Sequence, residues 1–376
     1  MQLQKSERRL VFYSEGKNYW VHLQGIIEYI LEHSEVPVCY ISSSADDPGL
    51  HLKHPRLRAY KVDKGFIRNY LFENIDTNVM VMTMPDLHQY QVKRSRHPVH
   101  YVYVQHSLVS LHMIYRKGAF DFYDTVFCSG PHHKHEIRRM EEIYQLPEKK
   151  LVEHGYGRLD AIIEAAKNAE QNKTKSRTQS SSSAHEPMHV LIAPSWGENC
   201  IIETMGEKLV DTLMAKNLRV TLRPHPQTIR LSKSRVDSIV NKYKDNPLFT
   251  YEANVAGQES LHDSDLMISD WSGAALDYAF GLNKPVIFID VPRKVNNPDY
   301  TELNIEPFEA DIRPKIGRII SPDDLDDLDD LNDLNDLNVD IEIDKTLARQ
   351  LVFNISSSDA VGANYLIEMV NHVHTS

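Results

Sequence analysis

The sequence predicts an α/β protein made of two consecutive Rossmann-like domains. Short apolar runs that read as buried strands alternate with segments of helical periodicity, the pattern of a parallel sheet covered on both faces. That alternation stops at the polar tract 166–187, AKNAEQNKTKSRTQSSSSAHEP, and then starts again. The length of 376 residues exceeds one ordinary core and suits two domains of roughly 150–200 residues each. The expected divisions are a first domain at 1–160, a flexible linker or loop at 161–187, a second domain at 188–350 and a C-terminal helix at 351–376.

Taken in order, RLVFYSEG (9–16) reads as a strand running into a loop, and YWVHLQGIIEYILEH as the helix after it. VPVCYISS (36–43), NVMVMTMP, HYVYVQHS and DTVFCSGP continue the strands, and HKHEIRRMEEIY reads as a helix. Beyond the polar tract, MHVLIAPSW, RVTLRPHP, LFTYEA, LHDSDLMISD and KPVIFID supply strands, with IIETMGEKLVDTLMAK as a helix among them. Two such domains would leave a cleft, and ligands of such sheets bind beyond the carboxyl ends of the strands.

Bulk properties exclude several classes. No apolar run reaches 18 residues, so no membrane span is expected. The start, MQLQKSERRL, lacks the apolar centre of a secretory signal. Cys39, Cys128 and Cys200 are scattered and odd in number, neither a disulfide framework nor a zinc pattern. A cytoplasmic chain is the expectation. Net charge is −11, yet residues 1–164 carry 21 basic and 20 acidic side chains. Nine aspartates within 323–340 supply most of the imbalance, and nothing suggests nucleic-acid binding. The repeat DDLDDLDDLNDLNDLN (323–338) lacks the glycine and terminal glutamate of a calcium loop and reads as a solvated insertion. The tract 51–70, HLKHPRLRAYKVDKGFIRNY, carries six Lys and Arg against one Asp. It is either a solvated loop and helix face or a basic surface for anionic lipid or a polyphosphate chain.

Four polar loops follow apolar strands: Gln105-His106-Ser107, Pro194-Ser195-Trp196-Gly197, Arg223-Pro224-His225-Pro226 and Ser269-Asp270-Trp271-Ser272-Gly273. His106 is either a hydrogen-bonded loop histidine or a base. Arg223 either pairs with a carboxylate or binds an anion, and the two prolines aim His225 in one direction. Ser272 is placed to cap a helix, and the same helix start offers free N–H groups and the positive dipole end to a phosphate. Capping and phosphate binding look alike in a sequence.

Order, spacing and flanks of these motifs together resemble the CDP-glycerol glycerophosphotransferase family of teichoic-acid-type polymer synthesis. VQHS stands where that family has a His-containing loop, often Trp-His-Gly-Thr, and GYGRLD (155–160) resembles its Gly-x-Pro-Arg-x-Asp segment. APSWGEN matches Ala-Pro-Thr-Trp-Arg, and Arg-Pro-His-Pro is intact. Ser269 to Gly273 with Asp277, then KPVIFID and the closing DAVGANYLIEMV, complete a likeness running from about residue 100 to the C-terminus. The chain departs from the pattern in lacking Trp and Gly around His106. It also has Gly273 for the second serine and Gly197 for the arginine.

The resemblance implies a GT-B architecture, two Rossmann-like domains facing across a cleft. It implies transfer of glycerol phosphate, or a related polyol phosphate, from a CDP-linked donor to a hydroxyl of a glycan or lipid-linked acceptor. His106 would take the hydroxyl proton, while His225 and Arg223 would hold the diphosphate as CMP leaves. Ser195, Ser269, Asp270, Ser272, Gly273, Ala274 and Asp277 form the expected donor side, and Ser14, Glu15, Ser107 and Arg158 the acceptor side. No cofactor and no metal are expected, since no Asp-x-Asp couplet lies in a convincing strand-end loop. Peripheral contact with the inner face of the cell membrane is a further expectation. The alternatives are a CMP-sugar glycosyltransferase of sialic acid or Kdo type, a nucleotide-sugar epimerase, and a scaffold without catalysis.

Overall fold

The computed structural model describes residues 4–90, 92–176, 187–254, 257–325 and 345–372. The chain divides into two units. One comprises Met1–Asp160, Asn296–Ile305 and Arg349–Ser376, the other Ala161–Val295 and Glu306–Ala348.

In the first unit the strands are β1 (Leu10–Ser14), β2 (Val38–Ser42), β3 (Leu57–Lys61), β4 (Val79–Met82), β5 (His100–Val104), β6 (Thr125–Cys128) and β7 (Lys150–Glu153). They form one sheet in the order β3-β2-β1-β4-β5-β6-β7, and every pairing is parallel. The central strands are apolar on both faces because helices cover both. Leu10 and Phe12 pack with Val38, Tyr40, Val79 and Val81 in one cluster, while Val11 and Tyr13 pack with Cys39, Ile41, Met80 and Met82 in another. The two-residue period of a strand makes that division. Two strands of this unit were not anticipated, and β13 (Gly317–Ile320) of the second unit was not either. β3 lies inside the basic tract read as loop and helix face, and β7 follows the helix Pro131–Tyr144. Both are edge strands whose charged residues face solvent, so neither shows a continuous apolar run.

The helix Ser358–His372 belongs to this first unit. Ala363, Leu366 and Val370 join Ile26, Ile27 and Ile30 of the helix Gln24–His33 in the same core. The segment GYGRLD secures the return. Asp160 accepts hydrogen bonds from the backbone of Ser356 (2.6 Å) and Ser358 (2.9 Å) and from the Ser358 hydroxyl (2.5 Å). Gly155 has φ +101° and lies against the Phe353 carbonyl, a conformation and an approach that exclude a side chain.

The second unit contains β8 (His189–Ile192), β9 (Arg219–Leu222), β10 (Phe249–Tyr251), β11 (Leu266–Ser269), β12 (Val286–Ile289) and β13 (Gly317–Ile320). Their order is β10-β9-β8-β11-β12-β13, again all parallel. Val190, Ile192, Val220, Leu222, Leu266, Ile268, Ile287 and Ile289 form its core with Leu209, Val210 and Leu213 of the helix Gly206–Ala215. In each sheet the winding reverses beside the first strand, between β1 and β4 and between β8 and β11. Loops diverge there and open a crevice at the strand ends.

The expected linker is shorter than the polar tract suggested. A helix runs from Gly157 to Ser176, built from Ala, Glu, Lys and Gln, which favour helix without an apolar stripe. Residues 177–186 lie outside the described residues, as does most of the 323–338 repeat. Leu325, at the start of that repeat, is buried in the second core. Among the described residues no helix is long and apolar enough to cross a membrane.

Candidate active site

Polar residues gather at the carboxyl ends of β1, β4 and β5 in the first unit. His106 lies two residues beyond β5, half-buried among aromatic rings. Its Nδ1 is 3.0 Å from the Tyr103 hydroxyl and its Nε2 is 3.3 Å from the Tyr115 hydroxyl. Its own carbonyl accepts from the Tyr156 hydroxyl at 3.1 Å. Tyr19 and His22 contact the ring edge-on, and His22 stacks on Tyr156. Burial lowers the His106 pKa to about 4, a backbone hydrogen bond toward Thr83 opposing the shift. The ring is therefore neutral at pH 7, the form a proton acceptor needs.

The acceptor-side residues divide in two. Glu15 follows β1, and burial raises its pKa, with Lys64 and Arg68 opposing and Asp86 adding to the shift. Arg68 is buried and donates to the Tyr13 hydroxyl at 3.3 Å. Ser14 is turned inward: its hydroxyl donates to the Gly16 carbonyl at 2.9 Å and accepts the Gly16 N–H at 3.1 Å. Ser107 accepts the Val109 N–H at 3.4 Å, shaping the turn after His106. Arg158 is half-buried and close enough to His22 to help lower its pKa, behind burial and His106.

In the second unit the loops after β8, β9, β11 and β12 meet at the switch point. His225 caps the helix Pro226–Leu231, its Nδ1 accepting the Gln227 N–H at 3.1 Å. That bond fixes the tautomer, because a neutral ring with an accepting Nδ1 carries its proton on Nε2. Ser272 caps the helix Gly273–Leu282 as expected, accepting the Ala274 N–H at 3.3 Å. Ser195 is buried directly beyond β8, its carbonyl accepting from Thr228 at 3.4 Å.

Four expected donor residues are occupied within the protein. Asp270 accepts the Ser195 N–H at 2.6 Å through one oxygen and the Ile201 N–H at 3.0 Å through the other. Its carboxylate ties the loop after β8 to the end of β11. Ser269 donates to the Ala193 carbonyl at 2.8 Å and serves the same tie. Arg223 is buried and bonds the Gly257 carbonyl at 2.8 Å and the Ser260 hydroxyl at 3.4 Å. Asp277 is buried and sits in the second turn of its helix, past the first turn where an acid favours the dipole.

Sequence reasoning did not single out Tyr103 and Tyr115, which hold both ring nitrogens of His106. Nor did it single out Lys294 beyond β12, whose ammonium lies 4.1 Å from the centre of the Trp196 ring. Trp196 in turn lies 6.0 Å from the His225 ring. Among the described residues no cluster of three or more His, Cys, Asp or Glu could hold a metal ion.

Comparison with known proteins gives the family and the fold. The family model for CDP-glycerol:poly(glycerophosphate) glycerophosphotransferase matches residues 3–294. No curated protein sequence matches the chain. The wall teichoic acid polymerase TagF superposes with a TM-score of 0.63 at 16% identity, covering 97% of this chain and 90% of its own. A TagF variant soaked with CDPG gives 0.64 at 16% identity over the same shares. UDP-GlcNAc 2-epimerase from Neisseria meningitidis gives 0.54 at 10% identity, covering 96% of this chain and 99% of its own. At such identities the likeness is one of fold, and the fold class is GT-B-like. The family match begins at residue 3, about a hundred residues before the motif likeness starts, and so takes in all of β1 to β12. The chain belongs to the CDP-glycerol:poly(glycerophosphate) glycerophosphotransferase family.

Proposed function

We propose that this enzyme transfers glycerol phosphate from CDP-glycerol to a hydroxyl of a glycan or lipid-linked acceptor and releases CMP. The observation that carries the reading is the tautomer of His225, whose Nδ1 accepts the Gln227 N–H and so leaves the ring proton on Nε2, beyond the carboxyl end of β9. A donor there suits the phosphate of departing CMP. Ser195 and the N–H of Gly273 at a helix start add neutral donors to the same anion.

His106 is the base. With Nδ1–H donating to Tyr103, Nε2 carries the lone pair; it accepts from the Tyr115 hydroxyl at 3.3 Å, a long bond that the entering acceptor hydroxyl replaces as it gives up its proton. The acceptor oxygen then bonds to the glycerol-bearing phosphorus as its bond to the bridging oxygen breaks. CMP leaves with that electron pair. Glu15 and Arg68, near each other beyond β1, orient the acceptor.

The helix Phe66–Asn74 supports contact with the inner face of a membrane. Phe66, Ile67 and Tyr70 are 83%, 69% and 64% exposed, and Lys61 and Lys64 are exposed just before them. Apolar side chains in a basic setting suit an anionic bilayer.

Product analysis tests the donor. The protein is incubated with an acceptor and CDP-glycerol, or with CMP-sialic acid or CMP-Kdo, in millimolar EDTA. Mass spectrometry should show addition of glycerol phosphate from CDP-glycerol alone. Sugar transfer would favour the CMP-sugar reading, and activity lost only under EDTA would show a metal requirement.

A further inference from the structure

The second unit places a lysine beside the donor site that no motif contains. Lys294 follows β12 in the loop DVPRKVNN; its ammonium lies 4.1 Å from the centre of the Trp196 ring, and the His225 ring centre is 6.0 Å from the same indole. Ammonium, indole and imidazole thus come from the loops after β12, β8 and β9, all at the carboxyl ends of one sheet. Among the described residues the ammonium makes no ion pair and no hydrogen bond. Its nearest acid by influence, Asp270, has both oxygens taken by backbone N–H groups. Lys294 is half-buried, and a lysine partly withdrawn from water ordinarily finds a carboxylate, because an unpaired ammonium is costly there. Here the partner is an aromatic face, which attracts a cation without neutralising it.

We propose that Lys294 supplies the positive charge that binds the donor's diphosphate, resting on the reading of this unit as the site for CDP-glycerol. His225 and the helix start offer donors that carry no full charge, while CMP departs as an anion. A cation held against Trp196 completes that electrostatic match. In the reaction the phosphorus–oxygen bond breaks toward CMP, and the ammonium stabilises the charge that CMP takes away. Lys294 keeps its proton throughout.

Burial lowers the Lys294 pKa to about 8, with Asp270, Cys200 and Glu309 opposing. The His225 ring centre lies 6.0 Å from that of the same indole. An ammonium of that kind is charged at pH 7 and largely neutral at pH 9, and a bound phosphate would draw the proton back.

Calorimetric titration of CDP and of cytidine, at pH 7 and pH 9, decides the matter. The proteins are wild type, Lys294→Met and Lys294→Arg, each checked for folding by circular dichroism. At pH 7 Lys294→Met should bind CDP about tenfold to a hundredfold more weakly, the effect of one lost charged hydrogen bond. Cytidine, with no phosphate, should bind both proteins alike, and Lys294→Arg should recover most of the CDP affinity. Wild-type affinity for CDP should fall between pH 7 and pH 9, and that of Lys294→Met should not. Equal CDP affinity in wild type and Lys294→Met, or equal losses for CDP and cytidine, would overturn the assignment and leave the donor site standing. A wild type that binds no CDP would overturn both.

Discussion

Burial sets what His106 can do. A histidine surrounded by Tyr19, His22, Tyr103 and Tyr115 stays neutral far below its ordinary pKa of about 6.5. Protonation would abolish the use as a base proposed for it, so on that proposal the acidic limb of the rate profile reports its pKa in the free enzyme. With that value lowered to about 4, kcat/KM should stay level from pH 7 to about 5 and fall only below that. A break near 6.5 would mean an exposed histidine or another base. Single residues were the least legible part of the sequence. Ser272 and His225 could be named because capping and phosphate binding use the same residue types at helix starts. Asp270 could not be told from a ligand by sequence, since its partners, the N–H groups of Ser195 and Ile201, lie about 70 residues away along the chain. Lys294 sits in a loop of ordinary composition, and only its packing on Trp196 marks it.

Elements read well where both faces are buried. The runs that became β1, β2, β4, β5, β6, β8, β9, β11 and β12 are continuous in apolar residues because central strands of a parallel sheet must be. The edge strands β3 and β7 were hidden by their own solvated charges. The return of the helix Ser358–His372 to the first unit was illegible for another reason, since its apolar face does not say which core it joins. Asp359 at its start tests that docking. Burial raises its pKa to about 7, with Asp160 and Glu28 adding to the shift. A carboxyl raised in the folded state is favoured as the neutral acid, so it costs stability as pH rises from about 4 through 7. Asp359→Asn is neutral at every pH. It should raise the melting temperature at pH 8, with the gain shrinking toward pH 5. An equal loss at both pH values would show that the carboxylate makes a contact the amide cannot.

At the scale of the molecule, two doubly wound sheets and a family match over residues 3–294 make the chain a glycerophosphotransferase with a CDP-linked donor. Length and the restart after the polar tract were enough to predict two Rossmann-like domains. They could not reveal that Asn296–Ile305 returns to the first unit, because that segment is tied there by backbone bonds from Asn296 and Asn297 to Met113. The proposed membrane contact belongs to this scale as well. Replacing Phe66, Ile67 and Tyr70 by serine should release the protein from anionic phospholipid vesicles in a sedimentation assay and leave CDP binding unchanged. Retained sedimentation would move the contact elsewhere. The central claim, that the first unit supplies the base and the second holds the nucleotide, meets its most direct test in the two histidines. Turnover of CDP-glycerol and affinity for CMP are measured for His106→Ala and His225→Ala. His106→Ala should lose about 100- to 10,000-fold in turnover with CMP affinity near wild type, the usual cost of a lost general base. His225→Ala should weaken CMP binding about tenfold or more and also slow transfer. Full transfer by His106→Ala, with His225→Ala inactive, would contradict the account.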